Sequence, residues 1–339
     1  MVLFIGLVAS NVFAAEIANV FRYPVGDENG NGWLLNRRGL QWLDQWDYAG
    51  NCGLVYHPGT DFNKDGTSHD GDIGQPVYAT ANGAVIKSYY ESGSSWGNLV
   101  LIRHYLPSGE VLFSLYGHLE KRLVSEGDDV AMGQQIGTVG KGIGLSAHLH
   151  FEIRKPILFN TAAKYFPCGQ DQNFVKLRYF NPESFIKIGR FANMSSAITL
   201  KFVERYELKL GVPFQDVGGN IYVHDWDGIM IQNFKNDDET NRYGTDGQTA
   251  LIYNDDQNKC WLIKEGFWGY YKQNNGPTDF GTPFTDEITA KYANSPFISS
   301  GDYVQPGNEI VVQKFQRVNS TERRTLVYNK TSGQSVRRF

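Results

Sequence analysis

The chain has 339 residues, of which 41% are hydrophobic and 20% charged, and its formal net charge at pH 7 is −4. This length allows two domains of ordinary size. The slightly acidic balance lacks the basic patches that bind nucleic acid, so no nucleic-acid partner is expected. No apolar stretch reaches the roughly 20 residues that cross a bilayer as a helix. The 37 glycines and the 14% aromatic share favour a β-rich protein.

The N-terminal segment has the pattern of an export signal. It reads "MVLFIGLVASNVFAAEIA", an apolar run followed by small residues, and Val12 to Ala14 fit the pattern before a cleavage point. The positively charged start of such signals is missing, so a buried first strand is the alternative. We interpret residues 1–14 as the remnant of a signal peptide. The protein is therefore expected to be exported: extracellular, periplasmic or associated with the cell envelope.

The next segments predict an all-β domain behind an irregular extension. Residues 15–56 are aromatic and irregular, and we expect them to pack on the domain that follows. From residue 57, short apolar runs such as "QPVYATANGAVIKSYY" and "GNLVLIRHYLPSGEVLFSLYGHL" alternate with glycine turns. β-branched and aromatic runs between turns predict strands joined by hairpins. The domain, residues 57–190, is thus predicted to be an antiparallel β-sheet.

Histidine is concentrated in this domain, since six of the seven histidines lie between positions 57 and 150. In "SAHLHFEIR" an extended strand places His148 and His150 on one face and Leu149 on the other. An isolated pair of this kind fits hydrogen-bonded surface histidines as well as metal ligands. The pair therefore needs partners elsewhere in the chain.

A partner set occurs upstream in "YHPGTDFN". His57 and Asp61 are separated by three residues, and Pro58 and Gly59 between them disfavour a helix. A catalytic zinc site takes three protein ligands and leaves one position to water. His57, Asp61 and one histidine of the later pair would complete such a site. The alternative for this motif alone is a polar turn in which the aspartate caps a backbone amide.

A family resemblance joins these motifs. The series "HPGTD", "GQPVYATANGAVI", "GNLVLIRH", "YGHL", "EGDDVAMGQQIGTVGKGIG" and "AHLHFEIR" resembles the lysostaphin-type (LytM-like) zinc endopeptidases of peptidoglycan, over His57 to Arg154. The resemblance implies a duplicated hybrid motif fold and one zinc ion per chain. It implies that the zinc ligands are His57, Asp61 and His150, and that His118 and His148 are uncoordinated catalytic histidines.

The resemblance also implies a function. Members of the family hydrolyse peptide cross-links or stem peptides of bacterial peptidoglycan, which becomes the expected partner. Relatives that lack ligands act without catalysis, so the alternative is an envelope-binding or hydrolase-activating protein on the same fold. A sugar-phosphotransferase-like domain is a third interpretation, against which the His57 and Asp61 pair argues.

One insertion departs from the family pattern. The segment "NKDGTSHDGDIG" follows Phe62 and contains His69, Asp70 and Asp72. A solvated acidic loop is the favoured interpretation, with His69 as a competing ligand or a calcium site as alternatives. Calcium has weak support because the spacing differs from an EF-hand loop. Asn51 or Asn63 could fill the open zinc position in a latent form.

The three cysteines lack the close spacing of a structural zinc site. In an exported protein Cys52 could pair with Cys168, which would leave Cys260 over. The connectivity itself stays open at the level of sequence.

The C-terminal part of the chain repeats itself. "GVPFQD" recurs as "GTPFTD" after 70 residues, "MIQNFK" as "VVQKFQ" after 81, and "TALIYN" as "RTLVYN" after 75. Three matches in the same order predict a duplication, so residues 200–339 form a second β-rich region of two approximate copies.

These repeats resemble LGFP repeats, which implies attachment to an envelope glycan or polymer. Five aromatic residues could either stack on sugar rings or form the cores of small β units: Trp226, Trp261, Trp268, Tyr270 and Tyr271. The alternative role is a structural lid or spacer. The protein is expected to be a monomer.

Overall fold

A computed structural model describes most of the chain. The described residues are 17–34, 38–48, 53–156, 163–189, 201–202, 212–213, 223–227, 229–235, 249–254, 256–285, 287–291, 309–316 and 322–338. The predicted signal remnant at 1–14, Asn51 and Cys52 lie outside these residues. The chain divides into two compact units between Pro182 and Glu183. Among the described residues, no helix combines the length and apolarity needed to cross a membrane.

The first unit is built from eleven strands and one helix within the described residues. The strands are β1 (Gln45–Tyr48), β2 (Gly53–Tyr56), β3 (Thr60–Phe62), β4 (Pro76–Tyr78), β5 (Gly83–Glu91), β6 (Gly97–Tyr105), β7 (Val111–Arg122), β8 (Asp129–Val130), β9 (Gln135–Val139), β10 (Leu149–Arg154) and β11 (Tyr179–Phe180). Helix α1 (Gln172–Arg178) begins at Asp171, whose side chain accepts a hydrogen bond from the backbone N–H of Phe174. This is the usual role of an aspartate at a helix N-cap.

Nine of these strands form one antiparallel sheet. Its order is β11-β10-β7-β6-β5-β8, while β3 pairs with β10 and β9 pairs with both β4 and β7. Strands β1 and β2 form a separate hairpin. The predicted class, all-β and antiparallel, is confirmed. The sheet places β10 between β3 and β7, so three distant sequence segments meet along one strand.

The N-terminal segment lies against this unit. The backbone N–H of Ala18 donates to Tyr105 at 2.8 Å, and that of Arg22 donates to Thr80 at 2.8 Å. The ring of Phe21 packs edge-on against His104, with 5.6 Å between ring centroids. His104 is therefore a core residue of the first unit.

The second unit contains two sheets and three helices within the described residues. Its elements are α2 (Pro182–Gly189), β12 (Val212–Pro213), β13 (Val223–Trp226), β14 (Ile229–Lys235), β15 (Thr249–Asn254), β16 (Lys259–Lys264), α3 (Glu265–Gln273), α4 (Gly276–Phe280), β17 (Thr282–Pro283), β18 (Ile288–Lys291), β19 (Glu309–Gln316), β20 (Arg323–Asn329) and β21 (Gln334–Arg338).

The two sheets have the same topology. One has the order β12-β14-β15-β16 with β13 on β14, and the other has β17-β19-β20-β21 with β18 on β19. The registers also correspond, because Ile231 faces Ile252 in the first sheet and Val312 faces Val327 in the second. These positions are the ones that the sequence offsets relate, as the predicted duplication requires.

The core of the second unit combines aliphatic side chains with several aromatic rings. Of the five rings singled out in the sequence, Trp268 and Tyr271 are buried in this core, and Trp226 and Tyr270 pack against it. Trp261 is half-buried, and the ammonium group of Lys259 lies 4.0 Å from its ring centroid. At least two of these rings thus stabilise the fold, as the second interpretation expected. The likeness to LGFP repeats stays a prediction.

Candidate metal centre

The predicted ligands come from two neighbouring strands. His57 follows β2 and Asp61 lies in β3, where it pairs directly opposite His150 of β10. Gly59 allows this approach, because a Cβ atom at that position would lie 2.3 Å from the backbone oxygen of Phe151. Only glycine can therefore let the first motif run so close to β10 without a backbone shift.

Three ligand atoms converge at this point. His57 Nε2 lies 3.2 Å from Asp61 Oδ1 and 3.0 Å from His150 Nδ1, and the latter two atoms are 3.0 Å apart. All three residues are buried. A tetrahedral zinc ion with ligands at about 2.0 Å spaces them about 3.3 Å apart. The triangle therefore has the size that a zinc site requires.

The hydrogen bonds around the triangle show that it consists of acceptors. The other nitrogen of His57, Nδ1, lies 3.2 Å from the carbonyl oxygen of Gln41, and His150 Nε2 lies 2.9 Å from Glu152 Oε1. A carbonyl and a carboxylate only accept, so these nitrogens carry the ring protons. Two lone pairs and one carboxylate oxygen then face each other. A divalent cation satisfies such a set, and two imidazoles with one carboxylate suit zinc.

The ligand set attracts positive charge, which either a proton on His150 Nδ1 or a divalent cation that displaces this proton can supply. Burial disfavours the charged form of Asp61, but nearby His148 and His57 hold the pKa of Asp61 well below its usual value. Burial also opposes protonation of His150, yet hydrogen bonds to Asp61 and Glu152 outweigh it and raise the pKa of His150 to about 9. The centre thus attracts positive charge strongly.

Two further histidines border the ligand triangle. His118 Nδ1 lies 2.8 Å from the carbonyl oxygen of Ser95, and His148 Nδ1 lies 2.8 Å from that of Ser146. Each Nδ1 therefore carries a ring proton, which leaves Nε2 facing the centre, and His148 Nε2 lies 3.6 Å from Asp61 Oδ2. The two ring centroids are 4.7 Å apart. Burial, together with His148 and His150, lowers the pKa of His118 well below 6.5, which keeps it neutral.

His118 has an unusual backbone. Its φ angle is 59°, in the left-handed region, and its N–H donates to the carbonyl oxygen of Trp96 at 3.0 Å. Next to it the pairing of β7 with β9 shifts register between Leu119 and Lys121. Irregular strands of this kind re-aim a side chain, here towards the metal centre.

A cavity of about 580 Å³ opens over the centre. Its wall includes Trp46, Trp96 and Phe166, which the sequence analysis did not single out. Trp96 stacks on His118 with 5.7 Å between centroids and meets His150 edge-on at 5.2 Å. No sequence spacing relates these rings to the histidines, because Trp46 lies in β1 and the other two rings lie in loops, which only the fold brings together.

The inserted loop is held by protein groups. Asp72 is buried and accepts hydrogen bonds from Asn63 at 3.1 Å and Arg38 at 3.0 Å. Asp70 contacts Lys141 and accepts a bond from the backbone N–H of Ala147 at 3.2 Å. Within the described residues, His69 lines the cavity but lies outside the ligand cluster. The amide of Asn63 bonds to Asp72, Gly39 and Ala147. The two alternatives for His69 and Asn63 thus gain no support.

Two buried charges on β10 were also missed. Glu152 and Arg154 lie on the same face as His150, since they follow it at intervals of two residues. Both are buried, and Arg154 Nε lies 2.5 Å from Glu152 Oε2. The alternation that singled out the two histidines could have identified them. They were overlooked because a charged pair is ordinarily a surface feature.

The cysteines divide into two kinds. Cys168 lines the cavity and is disulfide-bonded. Cys260 is a buried thiol of the second unit. Cys52, the predicted partner of Cys168, lies outside the described residues.

Known proteins resemble this chain around the metal centre. The model of peptidase family M23 matches residues 56–165. A lipoprotein NlpD of Yersinia enterocolitica is 42% identical over 84 residues, which are 25% of this chain and 81% of the relative. The peptidoglycan DD-endopeptidase ShyC of Vibrio cholerae is 40% identical over 155 residues, or 42% of this chain and 34% of that protein.

A solved structure gives a similar match. A zinc containing peptidase from Vibrio cholerae is 33% identical, with 40% of this chain and 37% of that chain covered and a TM-score of 0.31. The chain thus spans about a third of the two Vibrio proteins but most of the Yersinia relative. The description of the latter as a lipoprotein agrees with the expected exported, cell-envelope localisation. Through the segment that carries His57, Asp61, His118, His148 and His150, the chain belongs to peptidase family M23.

Proposed function

We propose that this protein is a zinc-dependent endopeptidase that hydrolyses peptide cross-links or stem peptides of bacterial peptidoglycan. The observation that carries the proposal is the convergence of three buried ligand atoms, from His57, Asp61 and His150, beside His118 and His148. His57, Asp61 and His150 would hold one zinc ion per chain. A zinc ion in such a site lowers the pKa of water and polarises a carbonyl group.

The two remaining histidines supply the proton chemistry. Their Nδ1 protons are committed to the carbonyl oxygens of Ser95 and Ser146, so each Nε2 can accept a proton from the attacking water. Once protonated, the same Nε2 donates a hydrogen bond. It can then stabilise the negative charge that develops on the substrate carbonyl oxygen, or pass the proton to the leaving amine.

The cavity supports a peptide substrate. Trp46, Trp96 and Phe166 line one side of the centre and can cover apolar parts of a bound chain, which excludes water from the reacting bond. The similarity to a peptidoglycan DD-endopeptidase supports a cell-wall peptide over other peptides. Binding of an envelope glycan or polymer by the C-terminal repeats, and a monomeric state, remain predictions.

The rival function is a non-catalytic activator of wall hydrolases on the same fold. Such a role needs neither the ligands nor the two extra histidines. The chain has all five residue types, and within the described residues the three ligand side chains meet as a metal site requires. This observation favours the enzyme.

The test measures zinc and hydrolysis together. We expect the purified chain to retain one zinc ion and to clear a suspension of purified cell walls, with mass spectrometry of defined muropeptides identifying the bond. His148→Ala should keep its zinc, because His148 is not a ligand, but lose about 10²- to 10⁴-fold in kcat/KM.

The matched control is His224→Ala, which removes a histidine on β13 of the second unit. It should hydrolyse walls like the wild type. A wild-type protein with full zinc and no hydrolysis would support the activator instead. Wild-type rates in His148→Ala would contradict the assigned role of that histidine.

A further inference from the structure

One face of β10 carries a continuous row of polar side chains. Beyond the two histidines, it presents Glu152 and then Arg154, and none of the accessible surface of Glu152 is exposed. Glu152 Oε1 lies 2.9 Å from His150 Nε2, the nitrogen opposite the one that faces the ligand triangle. Placing a carboxylate here in the interior is costly unless it is fully paired. The proposed ligand set and proton chemistry do not use it.

We propose that Glu152 is a positioning residue that holds the metal ligand His150, and that Arg154 couples this contact to the wall of the cavity. The inference rests on the proposed function, because it assumes that His150 binds zinc.

The hydrogen bond determines which nitrogen of His150 is available. A carboxylate that accepts from Nε2–H keeps the ring proton on Nε2, so the lone pair of Nδ1 points at the metal. It also prevents the ring from rotating and makes the imidazole a stronger donor to the ion. The distance of 3.0 Å between His150 Nδ1 and Asp61 Oδ1 shows that the ring already has the required orientation.

Arg154 explains why the carboxylate stays in place. Its Nε donates to Glu152 Oε2, while one terminal nitrogen donates to the carbonyl oxygens of Ala163 at 2.9 Å and Tyr165 at 3.2 Å. Tyr165 directly precedes Phe166, which lines the cavity. The same buried pair thus joins the metal ligand to the segment that forms one wall.

Zinc affinity tests the positioning role independently of hydrolysis. In the full chain we would measure the zinc Kd by competition with a chromophoric chelator. Glu152→Gln keeps an acceptor for His150 and should weaken binding by about 10-fold. The double variant Glu152→Leu with Arg154→Leu removes the acceptor without leaving an unpaired buried charge, and should approach a 100-fold loss.

The control variant loosens the segment around Lys164 but leaves the contact between Glu152 and His150 intact. Glu91 Oε1 accepts from Lys164 at 3.0 Å, so Glu91→Gln loosens the same segment without touching His150. It should bind zinc with the wild-type Kd. Thermal unfolding of each zinc-free variant shows whether it is folded.

A spectroscopic measurement requires no variant. In the zinc-bound wild type, ¹⁵N NMR of labelled histidine should show His150 protonated on Nε2. A proton on Nδ1, or unchanged zinc Kd values in both folded variants, would overturn the inference while leaving the proposed function intact. A wild-type protein that binds no zinc would overturn both.

Discussion

Both units of this molecule have apolar cores in β-sheets, but only the first buries a row of charged side chains along one strand. In the first unit, β10 is buried along its whole length, yet one face carries His150, Glu152 and Arg154. In the second unit the buried cluster combines aliphatic side chains with aromatic rings such as Trp268 and Phe315. Polar groups in the interior need partners in fixed positions, whereas aromatic rings need only volume and contact. The buried charged and polar residues of the first unit build its candidate metal centre, whereas the buried cluster of the second unit stabilises the fold.

The strongest test of this contrast is Asp61→Asn. It replaces the charged ligand by a neutral amide of nearly the same volume, so the fold of the first unit should persist. We expect zinc retention and wall hydrolysis both to be lost, because the remaining acceptors are two neutral imidazoles. Metal analysis after dialysis checks the first result and turbidity clearing the second. Full zinc content in this variant would exclude Asp61 as a ligand.

A comparable change in the second unit should act on stability alone. Phe315 is fully buried and stacks on Tyr271 with 5.6 Å between centroids. Phe315→Ala leaves a cavity in the aromatic core, and we expect it to lower the free energy of unfolding of that unit by about 3–5 kcal/mol. Zinc Kd should stay at the wild-type value. Urea unfolding followed by tryptophan fluorescence measures the first quantity, and a changed Kd would contradict the contrast.

His104 sharpens the comparison within the first unit, because it is a buried histidine with a structural role. Burial lowers its pKa from 6.5 to about 4, against the hydrogen bond to Asn82 that favours the charged form. The unfolded chain therefore binds a proton below pH 6.5 that the folded chain resists. Stability should fall as the pH drops from 6.5 to about 4, by about 3 kcal/mol from this residue.

The matched variant is His104→Gln, which retains a donor for the carbonyl oxygen of Asn82. Denaturant unfolding at several pH values should show a shallower loss of stability in the variant than in the wild type. Equal slopes in the two proteins would show that His104 is already charged in the fold.

The smallest expected effects come from two glycines. Gly59→Ala places a Cβ atom 2.3 Å from the backbone oxygen of Phe151, and we expect a loss of about 1–3 kcal/mol together with weaker zinc binding. Gly269 lies inside α3, where an added Cβ meets no atom within 4 Å. Gly269→Ala should therefore stabilise the second unit by about 0.5–1 kcal/mol. Thermal unfolding should show a lower melting temperature for Gly59→Ala and a higher one for Gly269→Ala. Equal shifts in melting temperature would contradict the close approach at Gly59.

The sequence predicted the parts of the molecule that follow a period. Alternation before and along β10 placed His148 and His150 on one face, and repeated words identified the two sheets of the second unit with matching registers. The resemblance to a peptidase family predicted that His57, Asp61 and His150 converge on one metal ion. Local sequence patterns could not predict this convergence, because the three residues meet only through the pairing of β3 with β10.

The parts that were missed depend on loops and on burial. Trp46 reaches the cavity from β1, and Trp96 and Phe166 reach it from separate loops. No local sequence pattern predicts that these three segments meet. Glu152 and Arg154 followed the correct alternation, but their burial is a tertiary property. In a sequence, a glutamate and an arginine two residues apart are typical of an exposed ion pair, but here both side chains are buried.

The left-handed backbone at His118 has an evolutionary consequence. A side chain in that conformation costs about 1 kcal/mol relative to glycine, so His118 lowers the stability of the fold at this position. A glycine at position 118 would give a more stable protein that lacks this imidazole. The proposed catalytic role of His118 therefore predicts that a lineage released from selection for hydrolysis loses this imidazole early.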